Sequence, residues 1–580
     1  MIVIPEPSRR TSHRPPIQAR HYVASSGHYL ATAAAMRILA RGGNAIDAGV
    51  AAGICINVLL PDLTSFGGVA PIIVYHKQSN ELRSISGLGC WGKSATIDFF
   101  NEHEQGEIPI GARRSIVPGA ADSWMTALAR YGRLTFEEVV TPAIELCESG
   151  YPIYPSLQRN IAKEIDAIRL WPSTASIYLV NGEAPQSGDV LVQRDQALTF
   201  RRLIAAERAA SGRGRTAAIE AARDEFYRGD IGKQIAEFIS AEGGFITEND
   251  LAEFHVDIEE PVQTNYRGID VYATGPWSQG PVIPQTLNIL EGYDLRFMGH
   301  NGADYIHTVS QALELAFADR EAYYGDPKFV DVPLDTLVSK AYASRQRDRI
   351  RPDWAFTEMP RAGDVGHNGH RRSMRLQPGD LATPAQPDTS YVCVVDEEGN
   401  AFSATPSDGI GSTPIIPGLG IICSGRGSQS WLQPDHASSL EGGKRPRLTP
   451  NPAMAFRDGR LLMPFGTPGA DMQPQSMLQV FLNIVEFEMD PQEAIEQPRF
   501  GSFNYPESFW PHTYRPGLLK LESRISVGAI ENLRARGHQI ELWPEWTRTA
   551  GNVCAIVVDH ERGTLNGGAD ARAEAYASGW

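Results

Sequence analysis

The chain has 580 residues with 53 basic and 69 acidic side chains, a formal net charge of −16. Phosphate polymers and anionic membranes repel such a chain on average, which excludes a general nucleic-acid or membrane binder. Hydrophobic residues make up 42% and charged ones 21%, an ordinary globular composition on a chain long enough for a large core.

Residues 1–20 read as a loose arm, because prolines and charges interrupt every apolar run and leave no secretory segment. From Leu30 to Ala40 apolar residues recur at helical spacing, and Gly42-Gly43-Asn44 stops that helix. A second helix is predicted from Asn44 to about Leu60. With Asp47 and Asn57 inside it, that stretch is too short and too polar to span a membrane. A soluble, cytoplasmic protein is expected. A strand over Ala70–Tyr75 pairs with one over Leu82–Ile85. Helical patterns follow at 119–131, 135–149, 195–209, 216–240 and 303–324, and a strand at Ile269–Ala273.

Residues 352–387 contain five prolines and four glycines without periodicity. This long polar loop ends abruptly at Asp388-Thr389, where two β-rich runs around Gly399-Asn400 predict a hairpin. Further strands are predicted at 419–423, 453–456, 460–464 and 553–558, and a helix at 474–486.

Six cysteines, at 55, 90, 147, 393, 423 and 554, show no CxxC spacing; several, such as Cys55 and Cys393, lie in apolar stretches and read as small buried hydrophobes, and their scatter fits a reducing compartment. There is no HExxH and no carboxylate cluster at metal spacing, so neither metal nor cofactor is expected. Gly87-Leu-Gly-Cys-Trp-Gly-Lys-Ser94 matches the phosphate-cradling P-loop letter for letter, and Val392–Asp396 can pass for its magnesium-holding partner. Serial βαβ units are lacking, so a tight structural loop is the competing reading. Ser278 lacks a nucleophile elbow because Pro276 occupies the first glycine position. His300 and His307 read as structural.

Thr389 has two readings. It is either a β-branched residue doing strand duty, or the nucleophile freed when the preceding bond is cut. Cutting would release its α-amine, whose reference pKa of about 8 suits a general base for its own hydroxyl. The pattern alone leaves both open.

A colinear series of motifs extends this. Ala31-Thr-Ala-Ala-Ala through Gly42-Gly43-Asn44-Ala45-Ile46-Asp47, Val117-Pro118-Gly119 and Gln279-Gly280 through Gly292 come first. Asp388-Thr389-Ser390-Tyr391, Lys444-Arg445-Pro446, Gly466-Thr467-Pro468-Gly469 and Gly567-Gly568-Ala569-Asp570 follow. Over residues 25–578 the chain resembles the γ-glutamyltransferase family of N-terminal nucleophile hydrolases. The resemblance implies an α+β, four-layer αββα sandwich and self-cleavage between Asp388 and Thr389. The products would be a large subunit, 1–388, and an intertwined small subunit, 389–580, of 192 residues. This heterodimer admits a dimer of heterodimers.

Thr389 would attack a small amide to give an acyl-enzyme, with Ser407 orienting its amine. The N–H groups of Gly469 and Ala470 would form the oxyanion hole. The family's amino-acid clamp is altered: Ser86–Cys90 contains no arginine, and Gly409, Gln429 and Leu448-Thr449 stand at other clamp positions. Gln429 and Thr449 remain candidate substrate contacts. Arg426 resembles the acylase-like branch of cephalosporin acylases and oxamate amidohydrolase, and its fork would hold an acyl-side carboxylate. The alternatives are a true γ-glutamyltransferase or glutathione hydrolase, a P-loop nucleotide-binding protein and an uncleaved, non-enzymatic binding relative.

Overall fold

The computed structural model describes residues 12–366 and 388–580. Two seven-stranded antiparallel sheets stack face to face. One runs Ile17–Ala19, Thr564–Ala569, Cys554–Asp559, Arg460–Gly466, Ala453–Arg457, Ile269–Ala273, Val262–Tyr266 from edge to edge. The other runs Tyr576–Gly579, Val23–Ser26, Val392–Val395, Ala401–Ala404, Ile72–His76, Glu81–Ile85, Ile258–Glu259. Each draws strands from both sides of residue 388, so the two portions of the chain are interwoven.

The strand Val392–Val395 explains the layering. Alternate side chains point to opposite faces. Val392 and Val394 join the core under the helices Tyr29–Ala40 and Ala45–Leu59, while Cys393 and Val395 enter the core between the sheets. With both faces covered, the strand reads as an unbroken apolar run. The helices Val282–Leu290, Ala303–Tyr323 and Met472–Val485 cover the far sheet. The order is helix, sheet, sheet, helix.

Local signals set the helix ends. Asn44 accepts from the N–H groups of Ile46 and Asp47 at 2.9 and 3.0 Å, and Asp47 reciprocates at 2.9 Å to the Asn44 N–H, closing a capping box. Gly42, at φ 91°, supplies the left-handed residue that ends the preceding helix.

Four expectations change. The helix predicted over 216–240 is two, Arg215–Tyr227 and Asp230–Ala241, separated at Arg228-Gly229. The strand over 419–423 shrinks to Ile421–Ile422, paired with Ile415–Ile416. Ile17–Ala19 of the expected arm is an edge strand, whereas residues 1–11 lie outside the described residues. Of the loop 352–387, residues 367–387 also lie outside them, but 352–366 are held in place. There the Phe356 N–H donates to Gln311 at 2.8 Å and the Gly363 N–H to Asp319 at 2.8 Å. Among the described residues no helix is long and apolar enough to cross a membrane.

Candidate active site

Thr389 stands just before the inner strand Val392–Val395, with its backbone bridged to Ser407 in antiparallel fashion. The Ser390 N–H donates to Pro406 O and the Ser407 N–H to Val69 O, each at 2.9 Å. Both hydroxyl residues are buried by this pairing. Their oxygens lie 2.7 Å apart, and the Thr389 hydroxyl donates to the carbonyl oxygen of Asp388 at 2.5 Å. The Ser407 hydroxyl donates to that same oxygen.

Arg426 completes the cluster. Its Nη2 donates to the Asp388 carbonyl at 2.9 Å, to Asp388 Oδ1 at 2.8 Å and to Ser407 Oγ. Its Nε faces Asp408 Oδ1 at 3.2 Å, and its guanidinium lies 5.0 Å from the Phe509 ring centre. Burial pushes the Asp388 carboxyl up to about 6; Arg426 opposes the rise and Asp408 adds to it. Burial likewise raises Asp408, again against Arg426. Arg426 and Asp408 are each 1% exposed, so they form a desolvated pair that matches charge for charge.

Gly469 and Ala470 form the turn between the strand Arg460–Gly466 and the helix Met472–Val485. Neither backbone N–H donates to another described residue. Such orphan donors at a helix start attract negative charge. Ala470 adopts φ 50°, the left-handed region that disfavours a Cβ. Gln279 fixes it by donating to Ala470 O and Thr449 O, each at 2.8 Å. Arg320 in turn donates to Gln279 Oε1 at 2.9 Å and pairs with Asp471 and Glu321. Thr449 and Gln429 are brought together, the Gln429 amide donating to Thr449 Oγ1 at 2.8 Å. Their hydrogen bonds run to each other, to Gln279 and to Ser438 rather than to Thr389.

The sequence carries no direct signal for the roles of Asp408, Gln279 and Arg320. Asp408 adjoins Ser407, and Gln279 lay within the matched central segment, but their roles arise from contacts far apart in sequence.

The P-loop match dissolves into packing. A Cβ at Gly87, Gly89 or Gly92 would collide with the carbonyl oxygens of Ala70, Val117 and Phe245, so these glycines let chain segments touch. Lys93 points outward to Glu253. Asp396 braces its hairpin, accepting from the N–H groups of Ala45 at 2.8 Å and Asn400 at 2.9 Å. His307 bonds His538 at 2.9 Å and the Arg351 carbonyl at 2.7 Å, a structural role.

Stacked antiparallel sheets between helical layers, with a threonine leading an inner strand, define a fold of the N-terminal nucleophile hydrolase class. The chain belongs to the γ-glutamyltranspeptidase family: the family model described as Gamma-glutamyltranspeptidase matches residues 31–580. It is 33% identical to the glutathione hydrolase-like YwrD proenzyme of Bacillus subtilis (strain 168), over 96% of this chain and 97% of that protein. It is equally 33% identical to the acylase ACY 1 proenzyme of Pseudomonas sp. (strain SE83), over 99% and 96%. The crystal structure of a cephalosporin acylase from Bacillus halodurans matches with a TM-score of 0.85 at 28% identity, covering 100% of this chain and 99% of that one. The chain is thus an enzyme of this family, a hydrolase of the amidase and acylase kind.

Proposed function

We propose that the protein is a precursor that cuts itself before Thr389 and then hydrolyses a small amide through an acyl-Thr389 intermediate. The observation that carries this is the convergence of Thr389, Ser407 and Arg426 on one oxygen, the carbonyl of Asp388.

In the first step the Thr389 oxygen attacks the Asp388 carbonyl carbon. The hydroxyl proton passes to the departing Thr389 nitrogen as the C–N bond breaks, giving an ester. Ser407 and Arg426 stabilise the negative charge that develops on the carbonyl oxygen. Water then splits the ester into a new carboxylate at Asp388 and the Thr389 hydroxyl, beside the amine freed in the first step. The large part, 1–388, and the small part, 389–580, remain associated because their strands share both sheets.

In turnover the Thr389 amine accepts the hydroxyl proton while the oxygen attacks the substrate amide. The Gly469 and Ala470 N–H groups receive the oxyanion, and water or an amine takes the acyl group. A carboxylate on the acyl side is favoured, because Asp388 already presents one to Arg426, with two carbons between it and the scissile carbonyl. The names of the acylase and glutathione hydrolase-like relatives agree with amide-bond chemistry.

Intact mass of the purified protein beside Thr389→Ala tests the reading. Dividing 63.5 kDa at residue 388 predicts fragments of about 42 and 21 kDa, the smaller beginning at Thr389, and an uncut variant. A single uncut mass for both proteins would overturn it and favour a binding protein. An amide panel including glutathione then separates an acylase from a γ-glutamyl enzyme.

A further inference from the structure

Residues 505–514 fold back as a hairpin whose tip touches two turns of the active site. Pro506 bridges Tyr514 in antiparallel fashion, and the Glu507 N–H donates to Thr513 O at 3.0 Å. The base is anchored. The Tyr505 ring stacks on Phe317 at 3.9 Å, and Gln475 donates to the Tyr505 hydroxyl at 2.8 Å. The His512 N–H closes the tip on Phe509 O at 2.7 Å.

One side of the tip grips the turn that carries the Gly469 and Ala470 N–H groups. Ser508 donates twice to Asp471, from its N–H to Oδ2 at 2.8 Å and from its hydroxyl to Oδ1 at 2.6 Å. Asp471 directly follows Ala470, and its carboxylate also pairs with Arg320. All three side chains are buried. Hydrogen bonds to an ionised group are about twice as strong as neutral ones. The turn is thus held at Ala470 by Gln279 and at Asp471 by Ser508, and Arg320 joins the two grips.

The other side of the tip holds the turn Arg426–Gln429. The Trp510 N–H donates to Ser428 O at 2.7 Å. The His512 ring sets its two nitrogens against the Glu507 and Ser430 carbonyl oxygens, at 3.0 and 3.1 Å. Trp431 is sandwiched between the His512 ring at 3.9 Å and the His436 ring at 4.3 Å. Phe509, between the two grips, lies over Arg426 and lines the cleft beside Asp388.

Resting on the amide-hydrolase reading above, we propose that the tip is a brace and that Ser508 is a positioning residue for turnover. It acts through Asp471, fixing the helix start from which the Gly469 and Ala470 N–H groups are aimed. Small errors of aim at such donors are costly. Self-cleavage does not use them, since Ser407 and Arg426 hold its oxyanion. The two steps therefore separate at Ser508.

The test uses matured Ser508→Ala, checked by mass and melting curve, with γ-glutamyl-4-nitroanilide and glutaryl-4-nitroanilide. For whichever compound the native protein turns over, kcat is expected to fall about tenfold with KM within about twofold. Ser508→Thr, which returns the hydroxyl, is expected to restore most of the loss. Self-cleavage after expression should run at the native rate. An unchanged kcat, a loss carried by KM, or an equal loss of self-cleavage would each overturn the proposal.

Hydrogen exchange reads the turn without the chemistry. The Met472 N–H donates to Gly469 O at 2.8 Å and the Gln473 N–H to Ala470 O at 3.2 Å, so these two amides report whether the turn is closed. Exchange about tenfold faster in Ser508→Ala supports the brace even if the native protein turns over neither compound, in which case the hydrolase reading alone fails. Exchange indifferent to residue 508 sinks the brace, and native turnover of either compound then leaves the hydrolase reading standing.

Discussion

Gln279 donates its side-chain amide to the backbone oxygen of Ala470 at 2.8 Å, tying the central segment of the chain to the turn that carries two orphan N–H groups. The same amide holds Thr449 O, and Arg320 holds the amide. The turn is therefore positioned by a buried polar chain rather than by its own sequence. Ala470 needs that support, since its left-handed backbone costs roughly 1–2 kcal/mol.

Gln279→Ala is expected to lower kcat by about 10- to 100-fold with little change in KM, because the proposed oxyanion donors lose their aim. Two buried carbonyls would lose a donor, at a cost of about 1–3 kcal/mol. Steady-state kinetics and a melting curve check both. Ala470→Gly should leave kcat near the native value. A Gln279→Ala variant that alters KM alone would place the clamp outside the transition state.

Arg426 holds Asp388, Asp408 and Ser407 at once. Arg426→Ala should stop self-cleavage and destabilise the precursor by about 3–5 kcal/mol, since Asp408 is left buried and unpaired. Arg426→Lys keeps the charge but not the fork, so cleavage should persist at a rate about 100-fold lower or less. Mass spectra over time after expression of each variant decide this. Full cleavage of Arg426→Ala would remove the arginine from the maturation step.

Much of this was readable from the chain, for physical reasons that differ along it. The hairpin around Gly399-Asn400 was legible because strands buried on both faces leave an apolar run, and the Asn44 helix because its cap is local. Thr389 stood out because a proline- and glycine-rich stretch of sequence without periodicity stops at an apolar run. The contacts of Gln279 and Arg320 were not legible, since their partners Thr449, Ala470 and Asp471 lie far away in sequence and meet them only in the folded chain. The break at Gly229 was missed because helical periodicity continues on both sides of it. The Gly87–Ser94 pattern was ambiguous in the sequence because close-packed backbone and phosphate binding both select glycine, and the lack of serial βαβ units already favoured packing.

That last ambiguity is testable. Gly89→Ala places a Cβ against the carbonyl of Val117, and should cost about 3 kcal/mol or more, or prevent soluble expression. Lys93→Ala should leave activity and melting temperature unchanged, because the ammonium is exposed on the surface beside Glu253. Millimolar ATP with magnesium should produce no thermal shift in the native protein. An ATP-dependent shift abolished by Lys93→Ala would restore the phosphate reading.

Glu314 provides the pH prediction. It lies in the helix Ala303–Tyr323, buried, and accepts from Ser502 at 2.8 Å, Asn504 at 2.9 Å and Gln311 at 3.2 Å. Desolvation outweighs those hydrogen bonds and pushes its carboxyl from 4.5 up to about 7. The folded state therefore holds this proton more tightly than the unfolded one. The resulting stabilisation is complete below about 4.5 and is lost as pH rises through about 7. The loss is of order 3 kcal/mol for this single site. Glu314→Gln, which keeps the shape and much of the hydrogen bonding but cannot ionise, should flatten the change in melting temperature between pH 5 and pH 8. Because Asn504 also donates to the carbonyl of Phe356 at 3.0 Å, the gain at pH 8 should extend to slower proteolysis of the segment 352–366. Parallel melting curves for native protein and variant would refute this assignment of the titration.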